Sequence, residues 1–297
     1  MYSRFIPFLL LIGLGYFLKQ KKLFQEQEAF FLKKLIFNLS FPALVFISLK
    51  DSSLSMEYLR VPLLTMALMA TMGLIALLCG KVFRFKPEAT AILIATTILG
   101  NTGFLGYPLV EAFFGKRLLP YGIFYDQTSA IIFIVVVLWL LSLLVAGEQK
   151  KEGFTFLLRT PPLLALILGL ILIPVPLPGP LMQTLELLGN TTTPLVMLYL
   201  GLTLEITFSL NEVRLLGMAA ALKLLLLPLL ALGLSVSSNS SADVTRVMIF
   251  QGAMPTAMVT AIYGAEIGLD VQVLARIITL TTILSPFTLA AVSYFLL

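Results

Sequence analysis

The sequence predicts an all-α integral membrane protein with ten transmembrane helices, arranged as two inverted five-helix repeats in which helices 4 and 9 are broken. Of the 297 residues, 59% are hydrophobic and only 12% are charged. Soluble domains carry about 25% charged residues, so this chain has too little polar surface to be stable in water. Glycine and proline also recur inside its apolar stretches at matched spacings, which indicates a repeat with interrupted helices.

Ten apolar segments are candidates for crossing the hydrocarbon layer, which takes about 20 helical residues. They are 4–18, 32–49, 58–80, 88–114, 119–146, 161–178, 181–204, 212–235, 243–266 and 271–296. The connecting loops are short and leave no room for a soluble domain. The first repeat is therefore expected at 1–147 and the second at 161–297, joined by a short cytoplasmic linker at 148–160.

Positive charges in the loops orient the helices. Twelve basic residues lie on the side reached after odd-numbered helices, and six lie on the opposite side. Because cytoplasmic loops are enriched in Lys and Arg, both termini are predicted to be extracytoplasmic, and the location is the plasma (inner) membrane. The net charge of +5 thus reflects topology, and no nucleic-acid partner is expected.

The residue inventory excludes most catalytic chemistry. The chain contains one cysteine, Cys79, and no histidine, which excludes an intrachain disulfide, a multi-cysteine metal site and His-based catalysis. Neither a G-x-S-x-G motif nor a nucleotide-binding G-x-x-x-x-G-K-[ST] motif occurs. No enzyme activity, catalytic residue, metal or cofactor is therefore expected, apart from H⁺ or Na⁺ as a coupling ion.

Matched prolines indicate the internal repeat. Helix 2 contains Asn38 and Pro42, and helix 7 contains Asn190 and Pro194, both in the pattern N-x-x-x-P and 152 positions apart. An odd number of helices per repeat makes the second copy enter the membrane from the opposite side, as in many secondary transporters. These prolines either break helices 2 and 7 or only bend them.

Helices 4 and 9 carry stronger interruptions. Residues 100–110 read GNTGFLGYPLV and residues 251–255 read QGAMP, with Pro108 and Pro255 147 positions apart. A proline inside a helix removes one hydrogen bond and costs about 3 kcal/mol or more. In a membrane such a break is tolerated only against protein or a wet cavity, so both breaks are predicted to line a site.

The residues at the two breaks are suited to bind an anion. A half-helix that begins after each break presents unpaired N–H groups and a partial positive charge near the midplane. Neutral amides orient a carboxylate without the cost of burying a second charge. The candidate binding residues are Asn101, Thr102, Gly103, Pro108, Gln251, Gly252 and Pro255.

The motifs N-T-x-x-x-G-x-P-L at Asn101–Leu109 and Q-G-x-x-P at Gln251–Pro255 resemble those of the auxin efflux carrier family. That family includes the plant auxin exporters and bacterial carriers for dicarboxylates such as malate and malonate. The resemblance implies a fold akin to bile acid/sodium symporters, in which the unwound helices 4 and 9 cross at the prolines. It also implies a scaffold of helices 1, 2, 6 and 7, a mobile core of helices 3–5 and 8–10 that moves like an elevator, and a homodimer.

Charged side chains within membrane helices are costly and therefore mark candidate functional sites. Asp126 in helix 5 is the candidate for proton or sodium coupling, with a structural ion pair to Lys223 or Arg276 as the alternative. Glu266 is the second coupling candidate, with a place at the membrane interface as its alternative. Lys223 and Arg276 are expected to reach toward an interface.

These observations predict a secondary transporter for a small organic anion, a mono- or dicarboxylate, bound where helices 4 and 9 cross. The alternative is a channel or facilitator for small solutes. A channel would spread polar residues along several helices, whereas here they cluster at the breaks. The expected partners are the organic anion, the lipid bilayer and a second copy of the chain.

Overall fold

The computed structural model describes residues 6–24, 26–50, 57–145, 160–204 and 212–296. Within these ranges every regular element is a helix, and the extended pairing is limited to one isolated bridge. The described part of the chain is therefore all-α, as predicted. The predicted linker at 148–160 lies outside the described residues except for Thr160.

Sixteen α-helices, numbered here in chain order, make up the described fold. They are α1 Ile6–Gln20, α2 Glu26–Leu35, α3 Phe41–Lys50, α4 Glu57–Val82, α5 Pro87–Ile98, α6 Gly106–Phe114, α7 Leu119–Ile132, α8 Leu138–Val145, α9 Pro161–Ile171, α10 Gly179–Asn190, α11 Thr192–Thr203, α12 Val213–Ala221, α13 Leu227–Ser237, α14 Ala242–Gly252, α15 Val259–Glu266 and α16 Val271–Leu296. Each of the ten predicted segments overlaps at least one of them.

Among the described residues, five helical segments are long and apolar enough to cross a membrane. They are Gln27–Lys50, Glu57–Val82, Lys116–Leu141, Val213–Ser237 and Val271–Leu296. Three apolar helices are shorter, namely α1, α5 and α9. Helix length thus supports several membrane crossings directly, while the count of ten crossings stays a prediction.

Helix starts follow the local capping chemistry. Pro87 opens α5 and Pro161 opens α9, where the missing proline N–H is one that would have no helical partner anyway. Ser241 caps α14, because its hydroxyl oxygen accepts a hydrogen bond from the Val244 N–H (3.4 Å). These signals fix the first turns of helices whose interiors are almost wholly apolar.

In the part of the chain that the structure describes, three π-helical turns join α-helices end to end, at Ile36–Ser40, Phe133–Val137 and Leu222–Leu226. The first and the third each lie just before a proline, Pro42 or Pro228, which is the second residue of the helix that follows. A wider turn relieves the clash between a proline ring and the carbonyl of the preceding turn. The π turn therefore lets the helix continue through the proline.

The two N-x-x-x-P motifs, each of which could break or only bend its helix, have different local structures. Helix 2 runs unbroken through Pro42, and Asn38 lies in its π turn, where Nδ2 donates to the Lys34 carbonyl (2.8 Å). Helix 7 is interrupted, because α10 ends at Asn190 and α11 begins two residues later, with Pro194 in its first turn. Of the two alternatives, a break therefore applies to helix 7, whereas in helix 2 a π turn accommodates the proline.

Contacts divide the chain into two compact units. Unit 1 comprises Met1–Leu54, Tyr107–Ile123 and Thr155–Leu204. Unit 2 comprises Ser55–Gly106, Phe124–Phe154 and Glu205–Leu297. Unit 1 therefore holds predicted helices 1, 2, 6 and 7 together with most of α6, and unit 2 holds most of the others.

Within unit 1, two glycines let α1 and α11 approach closely. A Cβ atom on Gly15 would collide with the Leu198 carbonyl oxygen and lie 3.1 Å from the Gly201 Cα. A Cβ atom on Gly201 would collide with the Ile12 carbonyl oxygen. Small residues at such contacts are the usual means by which membrane helices pack backbone against backbone.

We predict that Gly15→Ala lowers the thermal unfolding midpoint of the purified protein, because overpacking of this kind costs about 1–3 kcal/mol. Gly13→Ala is the matched control in the same helix, since a Cβ atom there meets nothing within 4 Å. It is expected to leave the midpoint unchanged or raise it, because alanine favours helix over glycine by about 1 kcal/mol. Equal midpoints for the two variants would contradict the close approach.

Candidate functional site

Both predicted interruptions are present. In predicted helix 4, residues 88–114, α5 ends at Ile98 and α6 begins at Gly106. In predicted helix 9, residues 243–266, α14 ends at Gly252 and α15 begins at Val259. The two links, 99–105 and 253–258, are the non-helical stretches that glycine and proline predict inside otherwise apolar segments.

The two links pair with each other through their main chains. The Asn101 N–H donates to the Pro255 carbonyl (2.7 Å), and the Ala257 N–H donates to the Leu99 carbonyl (3.0 Å). The two links run antiparallel to each other where Gly100 pairs with Thr256. Each break therefore supplies partners for backbone groups that the other break has freed, as a low-dielectric surrounding demands. We call this paired region, residues 99–105 and 253–258, the crossing.

Thr256 fixes the crossing to two further helices. The Thr256 hydroxyl donates to the Thr96 carbonyl (2.8 Å) near the end of α5, and its N–H donates to the Thr281 hydroxyl oxygen (3.2 Å) on α16. Thr256 is fully buried. Thr256 is not among the binding residues that the sequence predicts. The available signal was a hydroxyl directly after a helix-breaking proline in an apolar stretch.

Gln251 reaches from one interrupted helix to the other. It is fully buried, and its Nε2 donates to the Thr102 carbonyl (3.2 Å). Its Oε1 lies against Gly106, where a Cβ atom would collide with it. A glycine is thus required at the start of α6 for this amide to fit.

Asn101 is buried at the centre of the crossing, with 4% of its surface exposed. Its carbonyl accepts hydrogen bonds from the N–H groups of Leu105 (3.2 Å) and Gly106 (3.0 Å), which starts α6. Its side-chain Nδ2 is buried and has no hydrogen-bond partner among the described residues. An amide donor is therefore available at the point where the two helices cross.

Asp126 is tied directly to the crossing. The Thr102 hydroxyl donates to Asp126 Oδ1 (2.6 Å), and Gln127 Nε2 donates to Asp126 Oδ2 (3.0 Å). Arg276 instead forms a bidentate ion pair with Glu212, with distances of 2.7 and 2.8 Å. The alternative pairing of Asp126 with Arg276 is thus wrong, because Arg276 is already neutralised elsewhere.

The sequence predicts that Lys223 reaches toward an interface, and this prediction is wrong. The residue is 99% buried, leaving 1% of its surface exposed. A Cβ atom on Gly100 would lie 2.8 Å from its Nζ, so the ammonium group sits beside the crossing. Among the described residues it forms neither a hydrogen bond nor an ion pair, which also excludes the alternative pairing with Asp126.

The remaining candidates occupy different places. Gly103 is buried in the first link, and Gly252 is the last residue of α14. Pro255 lies in the second link, but Pro108 is the third residue of α6 and belongs to unit 1. The two prolines are thus not equivalent. Glu266 is exposed at the end of α15, as the interfacial alternative expects.

Fold and site together define the class of protein. It is a multi-pass membrane protein, all-α over the described residues, in which two interrupted helices pair through their main chains. Comparison with known proteins then gives the family. A family model for membrane transport proteins matches residues 1–157 and 154–293, so the chain belongs to that family. This confirms the resemblance to the auxin efflux carriers, and the protein is a membrane transporter.

Full-length relatives support the same assignment. An uncharacterised transporter of Methanothermobacter thermautotrophicus is 33% identical over 95% of this chain and 93% of its own length. One of Methanocaldococcus jannaschii is 29% identical over 97% of this chain and 96% of its own. The uncharacterised transporter YfdV of Escherichia coli K12 is 24% identical over 85% and 83% respectively.

We predict that Thr256→Val lowers the unfolding midpoint, because it leaves the buried Thr96 carbonyl without its hydroxyl donor, at a cost of about 1–3 kcal/mol. Thr260→Val is the matched control four residues away. Thr260 is equally buried, but its hydroxyl has no hydrogen-bond partner among the described residues, so valine should be neutral or stabilising. If both variants melt alike, Thr256 does not hold the crossing together.

Proposed function

We propose that the protein is a secondary transporter that binds a small organic anion, a mono- or dicarboxylate, at the crossing of helices 4 and 9. The observation that carries the proposal is the buried Asn101 Nδ2, a donor with no acceptor among the described residues. Leaving such a group unsatisfied costs about 1–3 kcal/mol. A carboxylate offers only acceptors and satisfies it without adding a competing donor.

The backbone at the crossing favours the same ligand. The helix α6 begins beside Asn101, and a helix N-terminus carries roughly half a positive charge. Gln251 is held against this start of α6 by its contact with Gly106 and its bond to Thr102. The amides thus take fixed positions before the solute arrives, which lowers the entropic cost of binding.

The proposed transport mechanism is an elevator-type movement of one group of helices against another. The division into two units supports it, because unit 1 gathers helices 1, 2, 6 and 7, the proposed scaffold. The stretch 107–123 also groups with unit 1, so the movement has to be accommodated at residues 106–107 and 123–124. Inverted repeats, a homodimer, an inner-membrane location and extracytoplasmic termini remain part of the proposal.

The repeat is supported by the spacing of the helices. The second half-helices α6 and α15 begin at Gly106 and Val259, 153 positions apart. This value is close to the 152 positions between the N-x-x-x-P motifs and differs from the 147 between Pro108 and Pro255. The antiparallel pairing at the crossing fits two copies that enter the membrane from opposite sides.

Asn101→Ala and Gln251→Ala should each abolish carboxylate transport while the protein stays folded, because both amides face the proposed ligand. The measurement is uptake of labelled malonate or malate into proteoliposomes, with Gln272→Ala, an exposed glutamine in unit 2, as the control. Wild-type rates in both amide variants would refute the site. The uptake rate of the wild type should also saturate as the substrate concentration rises. In the channel alternative, the flux would not saturate.

We also propose that Asp126 couples transport to a proton or a sodium ion, since Thr102 joins its carboxylate directly to the crossing. Asp126→Asn keeps the size and shape of the side chain and one accepting oxygen but removes the charge, so transport should lose its dependence on pH or on sodium. Glu266→Gln, at the exposed end of α15, is the comparison and should keep that dependence. An unchanged dependence in Asp126→Asn would eliminate the coupling role.

A further inference from the structure

The ammonium of Lys223 is a buried positive charge without a protein counter-charge. Only 1% of the residue is exposed, and among the described residues Nζ donates no hydrogen bond and forms no ion pair. A charge removed from water is strongly disfavoured unless an opposite charge or a set of acceptors compensates it. The fold therefore maintains an unfavourable group, which a partner from outside the chain would stabilise.

The position of Lys223 directs that charge at the crossing. The residue lies in the π turn Leu222–Leu226, a type of turn that is frequent at functional sites. The absence of a side chain at Gly100 gives the ammonium its room, since a Cβ atom there would lie 2.8 Å from Nζ. The same Cβ atom would lie 3.2 Å from the Thr102 methyl group, so Lys223 and Thr102 approach Gly100 from the same side.

Two ordinary roles for a membrane lysine do not fit these contacts. A lysine that reaches the interface keeps its charged end in water, which the burial of Lys223 excludes. A structural ion pair needs a nearby carboxylate. The Asp126 carboxylate at the crossing accepts from Thr102 and Gln127, and among the described residues no ion pair joins it to Lys223.

We propose that Lys223 is the residue that selects for charge, pairing its ammonium with one carboxylate group of the transported solute at Gly100. This inference rests on the proposed function, because it places the anion at the same crossing. Asn101 then donates to the anion from its neutral amide, and Lys223 supplies the full positive charge. A neutral solute of the same shape is rejected, because it would leave the ammonium uncompensated.

Removal of the Lys223 charge should raise the stability of the ligand-free protein, whereas removal of a lysine that is paired within the protein would lower it. Lys223→Met removes the uncompensated charge and keeps an apolar side chain of similar length. The empty variant should therefore melt at a higher temperature than the empty wild type, while its affinity for carboxylates falls. If Lys223 were instead held by partners within the protein, the same change would lower the melting temperature.

The experiment measures thermal stabilisation and binding on purified protein in detergent. The probes are three acid and amide pairs of matched shape: acetate and acetamide, butyrate and butyramide, and the dicarboxylate malonate with malonamide. The wild type should be stabilised by acids and not by the matching amides. In Lys223→Met the preferred acid should bind at least about tenfold more weakly, as expected when one member of a buried charged pair is removed.

Controls separate the inference from the proposed function. Lys81→Met makes the same change at an exposed lysine of unit 2 and should bind like the wild type. Gly100→Ala keeps the charge but obstructs its approach, and should weaken binding as well. Normal acid binding in Lys223→Met, with loss in Asn101→Ala, overturns the inference and leaves the proposed function standing. If no acid stabilises the wild type, both fail.

Discussion

The structure depends on one constraint: inside a bilayer, a backbone group released from a helix must find a partner within the protein. Two helices are interrupted here, and each interruption uses the other to meet that requirement through the bonds from Asn101 to Pro255 and from Ala257 to Leu99. A single broken helix would leave these groups unsatisfied. The crossing is thus a mutual arrangement, and the buried polar side chains around it are positioned by a framework that the main chain supplies.

Sequence patterns predicted the helices and both interruptions, because apolar length and the effects of glycine and proline act locally. They predicted less well which prolines lie within a helix break. Pro108 lies in the first turn of α6, where a proline N–H is not needed, so it follows the break without forming it. Pro42 sits behind a π turn and breaks nothing. Pro255, by contrast, lies within a break. The same residue type therefore marks three different local structures, which its neighbours in space distinguish.

The charged side chains of the site were the least predictable part. Arg276 pairs with Glu212 across 64 positions of sequence, a contact that no local pattern encodes. The direction of Lys223 depends on which face of its helix meets Gly100, and a π turn shifts that face in a way periodicity does not reveal. The sequence indicated Asp126 as a carboxylate within a membrane helix near polar neighbours, but its link to Thr102 required the fold.

The π turn around Lys223 also bears on how this site can change through evolution. Such a turn contains one residue more than the α-helical path between the same neighbours, and one residue corresponds to about 100° of helix rotation. Deleting a single residue from Leu222–Leu226 would restore a regular helix and swing the lysine away from Gly100. A small insertion or deletion, rather than a substitution, would then suffice to remove the lysine from the crossing.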